Sequence, residues 1–156
     1  MIGTFEVSAD QAGRITVPLA LRRRLGDDLV ICPSMPPERH LLVYEASAFD
    51  AFRARLFPHE PVTQDALSLM RNTVARAQEV RLDKAGRVLV PPRLRTWAGV
   101  DEAVVVLGMG DHLEVWSAAS YEAWAEMMDS EEAALRFTAL REEMERANRA
   151  AAGSGS

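Results

Sequence analysis

The chain is poor in the residues that build several common kinds of functional site. Its 156 residues include one cysteine, Cys32, which excludes an intrachain disulfide and a multi-cysteine metal site. Cys32 lies in an apolar run, where we expect a buried strand residue in a reducing compartment. No apolar run approaches the ~20 residues needed to cross a bilayer, and the N-terminus lacks a signal-peptide pattern. These absences predict a cytoplasmic protein without a membrane partner.

Recognisable catalytic and cofactor motifs are also missing. The sequence has no Walker loop, no GxGxxG and no nucleophile elbow. His40 and His112 lack Cys, Asp or Glu at metal-ligand spacing, which favours turn or surface histidines over a metal site. Trp116 and Trp124 lie on a predicted strand and a predicted helix stripe, which favours core packing over a base-stacking platform. We therefore expect no enzyme activity, no metal and no cofactor.

One stretch of the sequence occurs twice. Residues 80–99 repeat the pattern of residues 7–26, so that Val80 lies 73 positions after Val7. Each copy reads as strand, tight turn, strand and short helix, and matching apolar segments follow each copy. The sequence predicts two repeats of β-turn-β-α-β-turn-β, each with a trailing helix. One such unit cannot bury enough apolar surface to be stable alone. We therefore expect the two units to pack face to face as an intrachain pseudo-dimer.

Both copies contain the turn Asp-x-Ala-Gly-Arg. Asp10 and Asp83 occupy the first turn position, where a carboxylate accepts nearby backbone N–H bonds. Gly13 and Gly86 supply the positive φ that lets such a turn rejoin a twisted hairpin. These four residues are predicted to shape the turns, which explains the matched aspartates without an acid–base role.

The arginine after each glycine is not required by the turn. Arg14 and Arg87 begin the second strand, where the pattern is compatible with a surface charge, an ion pair to the turn aspartate, or an anion contact. The planar guanidinium suits a DNA phosphate or a guanine edge, and Lys84 at the second tip favours a phosphate contact. Arginines of the short helices are predicted to divide between phosphate contacts and solvated surface. The candidate DNA-binding residues are Arg14, Arg87, Lys84, Arg22 and Arg95.

Positive charge is concentrated in the repeated stretches. The chain has a net charge of −5, which disfavours binding to nucleic acid by bulk attraction. Residues 10–26 contain four arginines and one aspartate, and residues 79–99 contain five basic and two acidic residues, so each stretch carries +3. Residues 122–149 contain eight acidic and four basic residues, a net charge of −4. The acidic total is therefore compatible with a local anion-binding surface.

Helices are predicted outside the repeated strands. Residues 61–78 have apolar side chains at the helical period, with Thr63 as N-cap. A further helix begins at Ser130, and its short apolar seam favours packing on the body or on a neighbouring subunit. The predicted organisation is a first repeat with trailing helix (1–57), a linker helix (58–78), a second repeat with trailing helix (79–128), a C-terminal helix (129–150) and a disordered tail (151–156).

The sequence resembles the MraZ family, bacterial transcription regulators with two AbrB-like repeats. The resemblance covers nearly all of residues 1–128. It is strongest over residues 83–92, which read Asp-Lys-Ala-Gly-Arg-Val-Leu-Val-Pro-Pro, and over residues 114–116, which read Glu-Val-Trp. The family's DNA-contacting motif, Asp-x-x-x-Arg, falls on Asp10 to Arg14 and on Asp83 to Arg87.

The resemblance implies both a fold and a function. The fold is mixed α+β with a β-rich core, in which tandem AbrB-like swapped-hairpin β-barrel repeats form an intrachain pseudo-dimer with flanking helices. The function is transcription regulation at the promoter of the division and cell-wall gene cluster, by nucleoid-associated, ring-shaped homo-oligomers that bind direct repeats in double-stranded DNA. Two alternatives stay open: an AbrB-like antitoxin or transition-state regulator whose C-terminal helix binds a toxin, and a protein-interaction scaffold barrel that binds no nucleic acid.

Overall fold

The computed structural model describes residues 1–155. Residues 1–120 form one compact unit, and a second unit begins at Tyr121. The strands are β1 (Ile2–Ser8), β2 (Arg14–Thr16), β3 (Asp28–Pro33), β4 (Leu41–Glu45), β5 (Gln78–Arg81), β6 (Arg87–Leu89), β7 (Ala103–Met109) and β8 (Leu113–Ser117). The helices are α1 (Leu19–Arg22), α2 (Ala46–Leu56), α3 (Gln64–Met70) with a π-helical continuation (Arg71–Ala75), α4 (Pro92–Ala98), α5 (Ala118–Met128) and α6 (Glu131–Gly153).

Strands of the two repeats form one antiparallel sheet with internal two-fold pseudo-symmetry. Its order is β1-β7-β8-β4-β3-β5. Exchanging each strand with its equivalent in the other repeat gives the same order read from the opposite end. The exchange replaces β1 with β5, β3 with β7 and β4 with β8, and its centre lies where β4 pairs with β8. The element order therefore confirms two β-turn-β-α-β-turn-β repeats in a mixed α+β fold.

The first strand of each repeat pairs with the third strand of the other. β1 lies beside β7, with Val7 opposite Val104, and β5 lies beside β3, with Val80 opposite Leu29. In the described chain, β1 and β5 each have a neighbour on one side only, so they form the two edges of an open sheet. The six strands therefore do not close into the β-barrel that the resemblance implied.

The second strands of the two repeats, β2 and β6, form a separate two-stranded ribbon. Its register is Arg14 opposite Leu89, Ile15 opposite Val88 and Thr16 opposite Arg87. Ile15 and Val88 are buried, whereas the residues on either side of them are exposed. Because side chains alternate along a strand and share a face across a pair, the ribbon has one buried face and one exposed face.

Apolar residues of both repeats share one core beneath the ribbon, including the equivalent pairs Ile15 with Val88 and Leu21 with Leu94. β3 is buried on both faces, because alternate residues belong to this core and to a smaller cluster with aromatic residues of β4 and α2. Its uninterrupted apolar sequence follows from this two-sided burial. Cys32 is buried there, as predicted, and burial raises the pKa of its thiol to about 12.

The segment between the repeats is shorter and less regular than predicted. The Thr63 hydroxyl caps α3 by accepting a hydrogen bond from the Ala66 amide at 3.1 Å. The helix begins at Gln64 rather than at residue 61, and it ends in the π-helical segment. Gln78 was predicted to be helical, but it begins β5, because its backbone is paired with Ile31 of β3.

Helix α6 makes up most of the second unit. Ser130 caps its N-terminus by accepting a hydrogen bond from the Ala133 amide at 3.2 Å. The helix runs to Gly153, so residues 151–153 are helical where a disordered tail was predicted. Consecutive alanines at the end of α6 favour this extension. Ser156, the last residue of the predicted tail, lies outside the described residues.

Candidate nucleic-acid interface

Each repeat presents a tight turn between its first two strands. In the first turn, the Gly13 amide donates to the Asp10 carbonyl at 3.0 Å, and the Asp10 amide donates to the Arg14 carbonyl at 3.0 Å. The second turn repeats both bonds, at 3.0 and 2.9 Å. The φ angle is 90° at Gly13 and 77° at Gly86, in the left-handed region that favours glycine. The two turns therefore share one backbone geometry.

The aspartate side chain in each turn holds the arginine that follows the glycine. Asp10 Oδ1 accepts a hydrogen bond from the Arg14 amide at 2.8 Å, and Asp83 Oδ1 accepts one from the Arg87 amide at 2.9 Å. These amide bonds are the main reason that the pKa of each aspartate lies below its ordinary value. Both aspartates are therefore anionic at neutral pH, and each fixes the start of the strand that carries its arginine.

The two aspartate–arginine ion pairs differ in geometry. Arg87 Nε donates to Asp83 Oδ2 at 2.9 Å, whereas Arg14 uses Nη1, at 3.4 Å from Asp10 Oδ2. The Ala85 amide adds a bond to Asp83 Oδ1 at 2.9 Å. A guanidinium has five N–H donors, and no acceptor within residues 1–155 bonds the two terminal amino groups of Arg87. The second turn thus holds its arginine more tightly and presents a planar fork outward.

The ribbon brings the two arginines onto one surface, although they lie 73 positions apart in the chain. The side chains of Arg14 and Arg87 are 47% and 43% exposed. In the register of β2 and β6 the two are diagonal neighbours, which lie roughly 7–8 Å apart in antiparallel pairs. The surface is completed by Thr16 and Leu89. We call these four residues the ribbon face.

Lys84 extends the positive surface at the second tip. It is exposed, whereas Gln11 occupies the equivalent position of the first turn. An open groove of about 680 Å³ lies beside the second turn, and the cations that line it are Lys84, Arg22 and Arg81. Two aspartates also line this groove. The second tip therefore offers more cationic groups to an anion than the first.

Arg22 and Arg95, both predicted as DNA contacts, reach the turn of the opposite repeat. Arg22 Nη1 donates to the Ala85 carbonyl at 2.9 Å, and Arg95 Nη1 donates to the Gln11 carbonyl at 3.3 Å. Arg95 Nε also donates to the Val100 carbonyl at 3.2 Å. The sequence carried no signal for these cross-repeat contacts, because the partners lie 63 and 84 positions apart.

Gly13 and Gly86 leave the space that these two arginines occupy. A Cβ atom at residue 13 would lie 3.1 Å from Arg95 Nη1, and one at residue 86 would overlap the Arg22 guanidinium. Both glycines are buried. Glycine is therefore favoured at these turns for its backbone conformation and also for the absence of a side chain.

Comparison with known proteins identifies the family of the chain. The family model described as "MraZ protein, putative antitoxin-like" matches residues 1–70 and 74–144, and both turns lie within the matched ranges. The chain belongs to the MraZ family. This confirms the resemblance that the sequence suggested. In the sheet the two repeats are interleaved, because each half combines the first strand of one repeat with the third and fourth strands of the other.

Individual relatives support the assignment to the MraZ family over most of the chain. "Transcriptional regulator MraZ" of Marinomonas sp. (strain MWYL1) is 36% identical over 134 residues, which cover 84% of this chain and 89% of the relative. The protein of the same name from Azoarcus sp. (strain BH72) is 37% identical over 127 residues, or 81% and 86% of the two chains. That of Symbiobacterium thermophilum is 32% identical over 143 residues, or 92% and 99%.

His40 and His112 directly precede β4 and β8, the two strands that pair at the centre of the sheet. His40 is 4% exposed and stacks on Trp116, with 4.1 Å between ring centroids. His112 stacks on Tyr44 at 4.7 Å, so each histidine packs on an aromatic residue of the other repeat. Of the two predicted positions, His40 has the turn position, in the connection before β4, and not the surface position, because its stacking partner from the other repeat buries it. Trp116 is buried, as predicted.

Glu114 links the two histidines. Its carboxylate lies 3.3 Å from His40 Nε2 and 3.9 Å from His112 Nε2, and it accepts a bond from Trp116 Nε1 at 2.7 Å. Burial works to raise the pKa of Glu114, but bonds from His112 and His40 lower it to about 2. Burial works to lower the pKa of His112, but bonds to Glu114 and Asp111 raise it above its ordinary value. The cluster therefore fixes the junction of β4 and β8.

Three remaining predictions concern metals, membranes and Trp124. Residues 1–155 contain no group of three or more His, Cys, Asp or Glu side chains placed to hold a metal ion. Within the same residues, no helix has the length and apolar character to cross a bilayer. Trp124 is half-buried in α5.

Proposed function

We propose that this chain is a sequence-specific DNA-binding regulator of transcription that contacts double-stranded DNA with its ribbon face and turn tips. The observation that carries the proposal is the presence of Arg14 and Arg87 on one exposed face, each held by the aspartate of its own turn. The names of relatives in the MraZ family, which describe transcriptional regulators, support it.

The chemistry of the ribbon face fits the edge and backbone of a duplex. The major groove, about 12 Å wide, admits a two-stranded β-ribbon. An arginine fork can bond the O6 and N7 atoms of guanine or two oxygens of a phosphate, and a lysine binds a phosphate as a point charge. We assign these contacts to Arg14, Arg87 and Lys84, with the aspartates keeping the guanidinium groups oriented before DNA arrives.

The proposal extends to assembly and target, as the family resemblance implies. One subunit offers few cationic contacts, so a single copy would bind weakly. A ring-shaped homo-oligomer would present several identical tips to direct repeats in promoter DNA, and the contacts would reinforce one another through effective concentration. We propose the promoter of the division and cell-wall gene cluster as the target, and light scattering of the purified protein would measure the subunit number.

The test is a fluorescence anisotropy titration of the purified full chain with labelled DNA from its own upstream region. A shuffled duplex of equal length is the competitor that reveals sequence specificity. Arg14→Ala, Arg87→Ala and the double variant are compared with Arg53→Ala, which removes the same charge from an exposed position of α2. We expect the double variant to lose specific binding while its subunit number, by light scattering, stays that of the wild type.

Two outcomes would contradict the proposal. If the double variant and Arg53→Ala bind the upstream DNA with the same affinity as the wild type, the ribbon face is not the DNA site. If the wild type binds neither duplex, the chain is better described as the protein-interaction scaffold that the sequence left open. A salt titration adds a check, because binding through phosphates weakens steeply as salt rises.

A second candidate function, an antitoxin, is favoured by α6 and by the printed description of the family. Leu140 and Met144, which belong to the apolar seam of α6, are 45% and 56% exposed, so part of this seam is open to a partner. The test is co-purification of a tagged full chain from its own host, followed by mass spectrometry. A stoichiometric toxin that is lost with the double variant Leu140→Glu/Met144→Glu would support this function.

A further inference from the structure

We propose that Arg22 and Arg95 are positioning residues, each of which holds the DNA-contacting turn of the opposite repeat. The proposal rests on the proposed function for the purpose of the contact, but the contact itself is a property of the unbound protein. In this arrangement the short helix of the first repeat sets the position of Arg87, and the short helix of the second repeat sets the position of Arg14.

The two contacts form a pseudo-symmetric pair. Arg95 lies 73 positions after Arg22, the same offset that relates the two turns. Each donates Nη1 to a carbonyl near the tip of the opposite turn: Arg22 to Ala85 at 2.9 Å, and Arg95 to Gln11 at 3.3 Å. The two carbonyls differ by one position, since Ala85 is equivalent to Ala12 rather than to Gln11. Two equivalent arginines nevertheless each reach the tip of the opposite turn, which indicates an arrangement shared by both repeats.

Backbone hydrogen bonds hold the base of each turn from the same direction. The Val17 amide donates to the Gly86 carbonyl at 2.9 Å, and the equivalent Val90 amide donates to the Gly13 carbonyl at 3.0 Å. Each turn is therefore bonded to the other repeat at its glycine through the backbone and at its tip through an arginine. Removing the arginine leaves the glycine bond and releases the tip.

The space beside each glycine supports the same assignment. The Arg22 guanidinium occupies the volume that a Cβ at residue 86 would need, and Arg95 Nη1 lies within 3.1 Å of a Cβ placed at residue 13. The side chains are thus packed over the turn backbone rather than extended into solvent. Arg95 is 23% exposed, about half the value of 43% for Arg87, which fits a bracing residue better than a phosphate-binding one.

If the two arginines brace the turns, loss of each should affect the turn of the opposite repeat, which a role in direct DNA contact does not predict. Loss of Arg22 should loosen the turn of residues 83–87 and leave the turn of residues 10–14 unchanged. Loss of Arg95 should do the reverse. A general loss of stability would loosen both turns together, and a pure phosphate contact would loosen neither in the absence of DNA.

The experiment is hydrogen exchange followed by mass spectrometry on the full-length protein without DNA. Arg22→Met and Arg95→Met remove the guanidinium donors and keep most of the aliphatic stem. Arg23→Met and Arg93→Met are controls that remove the same charge from exposed positions beside the two braces. We expect exchange in peptides covering residues 83–87 to rise about three- to tenfold in Arg22→Met, and exchange in those covering residues 10–14 to rise similarly in Arg95→Met.

If neither turn exchanges faster in Arg22→Met or Arg95→Met than in the wild type, the proposal is overturned. It is also overturned if a variant loosens the turn of its own repeat. If a methionine variant loses cooperative thermal unfolding, Arg22→Lys and Arg95→Lys are used in place of the two methionine variants. We expect the same crossed pattern, with a smaller rise in exchange.

DNA titrations separate the brace from a phosphate contact. A lost phosphate contact lowers the slope of log affinity against log salt by about 1, whereas a lost brace lowers affinity about three- to tenfold at every salt concentration and leaves the slope unchanged. A lowered slope in Arg22→Met would assign that residue to direct contact. If the wild type binds no DNA, the proposed function fails, while the crossed exchange pattern still decides whether the braces exist.

Discussion

The turn at Asp83 and the turn at Asp10 share a backbone geometry but not the same set of hydrogen bonds. The Asp83 carboxylate accepts three N–H bonds, each 2.9 Å long. The Asp10 carboxylate accepts two, at 2.8 and 3.4 Å. The second tip also carries Lys84 where the first has Gln11. The duplicated halves therefore keep the turn that aims an arginine and differ in how firmly that arginine is held.

This difference indicates how two copies of one motif can divide a binding task. A firmly held guanidinium loses less conformational freedom when it binds, so the second tip should contribute more affinity per contact. A more loosely held one can adapt to a different base step. We expect the second tip to set affinity, and the first to adjust to the second half of the DNA site.

The largest expected effect comes from the turn glycines. Gly86→Ala forces an alanine to a φ of 77° and displaces the Arg22 guanidinium, so we expect a loss of roughly 2–3 kcal/mol of folding stability. Gly13→Ala meets Arg95 less closely and should cost roughly 1–2 kcal/mol. Chemical denaturation measures both free energies of unfolding. Equal losses would show that the space beside the two glycines does not differ in solution.

Single substitutions of the paired arginines give the next largest effect. Arg87→Ala should weaken binding of the upstream DNA about tenfold or more, because a charge-assisted contact contributes ~1.5–3 kcal/mol. Arg14→Ala should weaken it only several-fold, since its side chain is held at 3.4 Å rather than 2.9 Å before binding. Anisotropy titration under one salt condition makes the comparison. A larger loss for Arg14→Ala would reverse the ranking of the two tips.

A substitution that makes the tips alike should have a smaller effect. Gln11→Lys gives the first turn the cation that Lys84 gives the second. We expect affinity to rise about two- to fivefold and the salt slope to steepen by up to about 1. Thr4→Lys, at an exposed position of β1, adds the same single positive charge away from the tip and serves as the control. The same gain from both variants would mean that net charge, rather than the tip, controls affinity.

The smallest expected effect concerns a second difference between the repeats: the second has Glu114 at the position where the first has Leu42. The lowered pKa of Glu114 makes its contribution to stability full above its ordinary value of 4.5 and lost as pH falls towards about 2. The raised pKa of His112 makes its contribution full below 6.5 and lost as pH rises through the folded value. The ion pair therefore stabilises the fold most between these two values.

Thermal melts of wild type and Glu114→Gln test this window. The difference in midpoint should be larger at about pH 5.5 than at about pH 8.5, by the equivalent of roughly 1 kcal/mol. For His112→Gln, the difference in midpoint from the wild type should likewise be smaller at about pH 8.5 than at about pH 5.5. A midpoint difference that stays constant across this range would mean that the His112–Glu114 pair does not titrate as described.

Local chemistry explains why much of the repeat could be predicted from the sequence. Asp83 and Gly86 indicate a turn through their own backbone preferences. Thr63 indicates the start of a helix by a rule of the same short range. The exposed position of Arg14 follows from alternation along β2. In each case the deciding partners lie within four residues, so a sequence pattern contains them.

The features that the sequence did not predict depend on contact partners from the other repeat. His40 was predicted to be a turn or surface histidine because its neighbours in sequence include no set of metal ligands, and Trp116 covers it from the other repeat. The bracing by Arg22 and the pairing of Arg14 with Leu89 have the same origin. Pattern alone does not say that β2 pairs with β6, and the ring assembly and the DNA contacts stay predictions.

The exchange of first strands between the repeats has a consequence during synthesis on the ribosome. Ile2 in β1 is paired with Met109 in β7, 107 positions later, so β1 stays without its partner strand while the residues between them are synthesised. Until then the unpaired backbone N–H and C=O groups of β1 stay open to chaperones or to other nascent chains. A delay placed in the message before the codons of β7 should therefore lower the yield of folded protein more than the same delay placed after them.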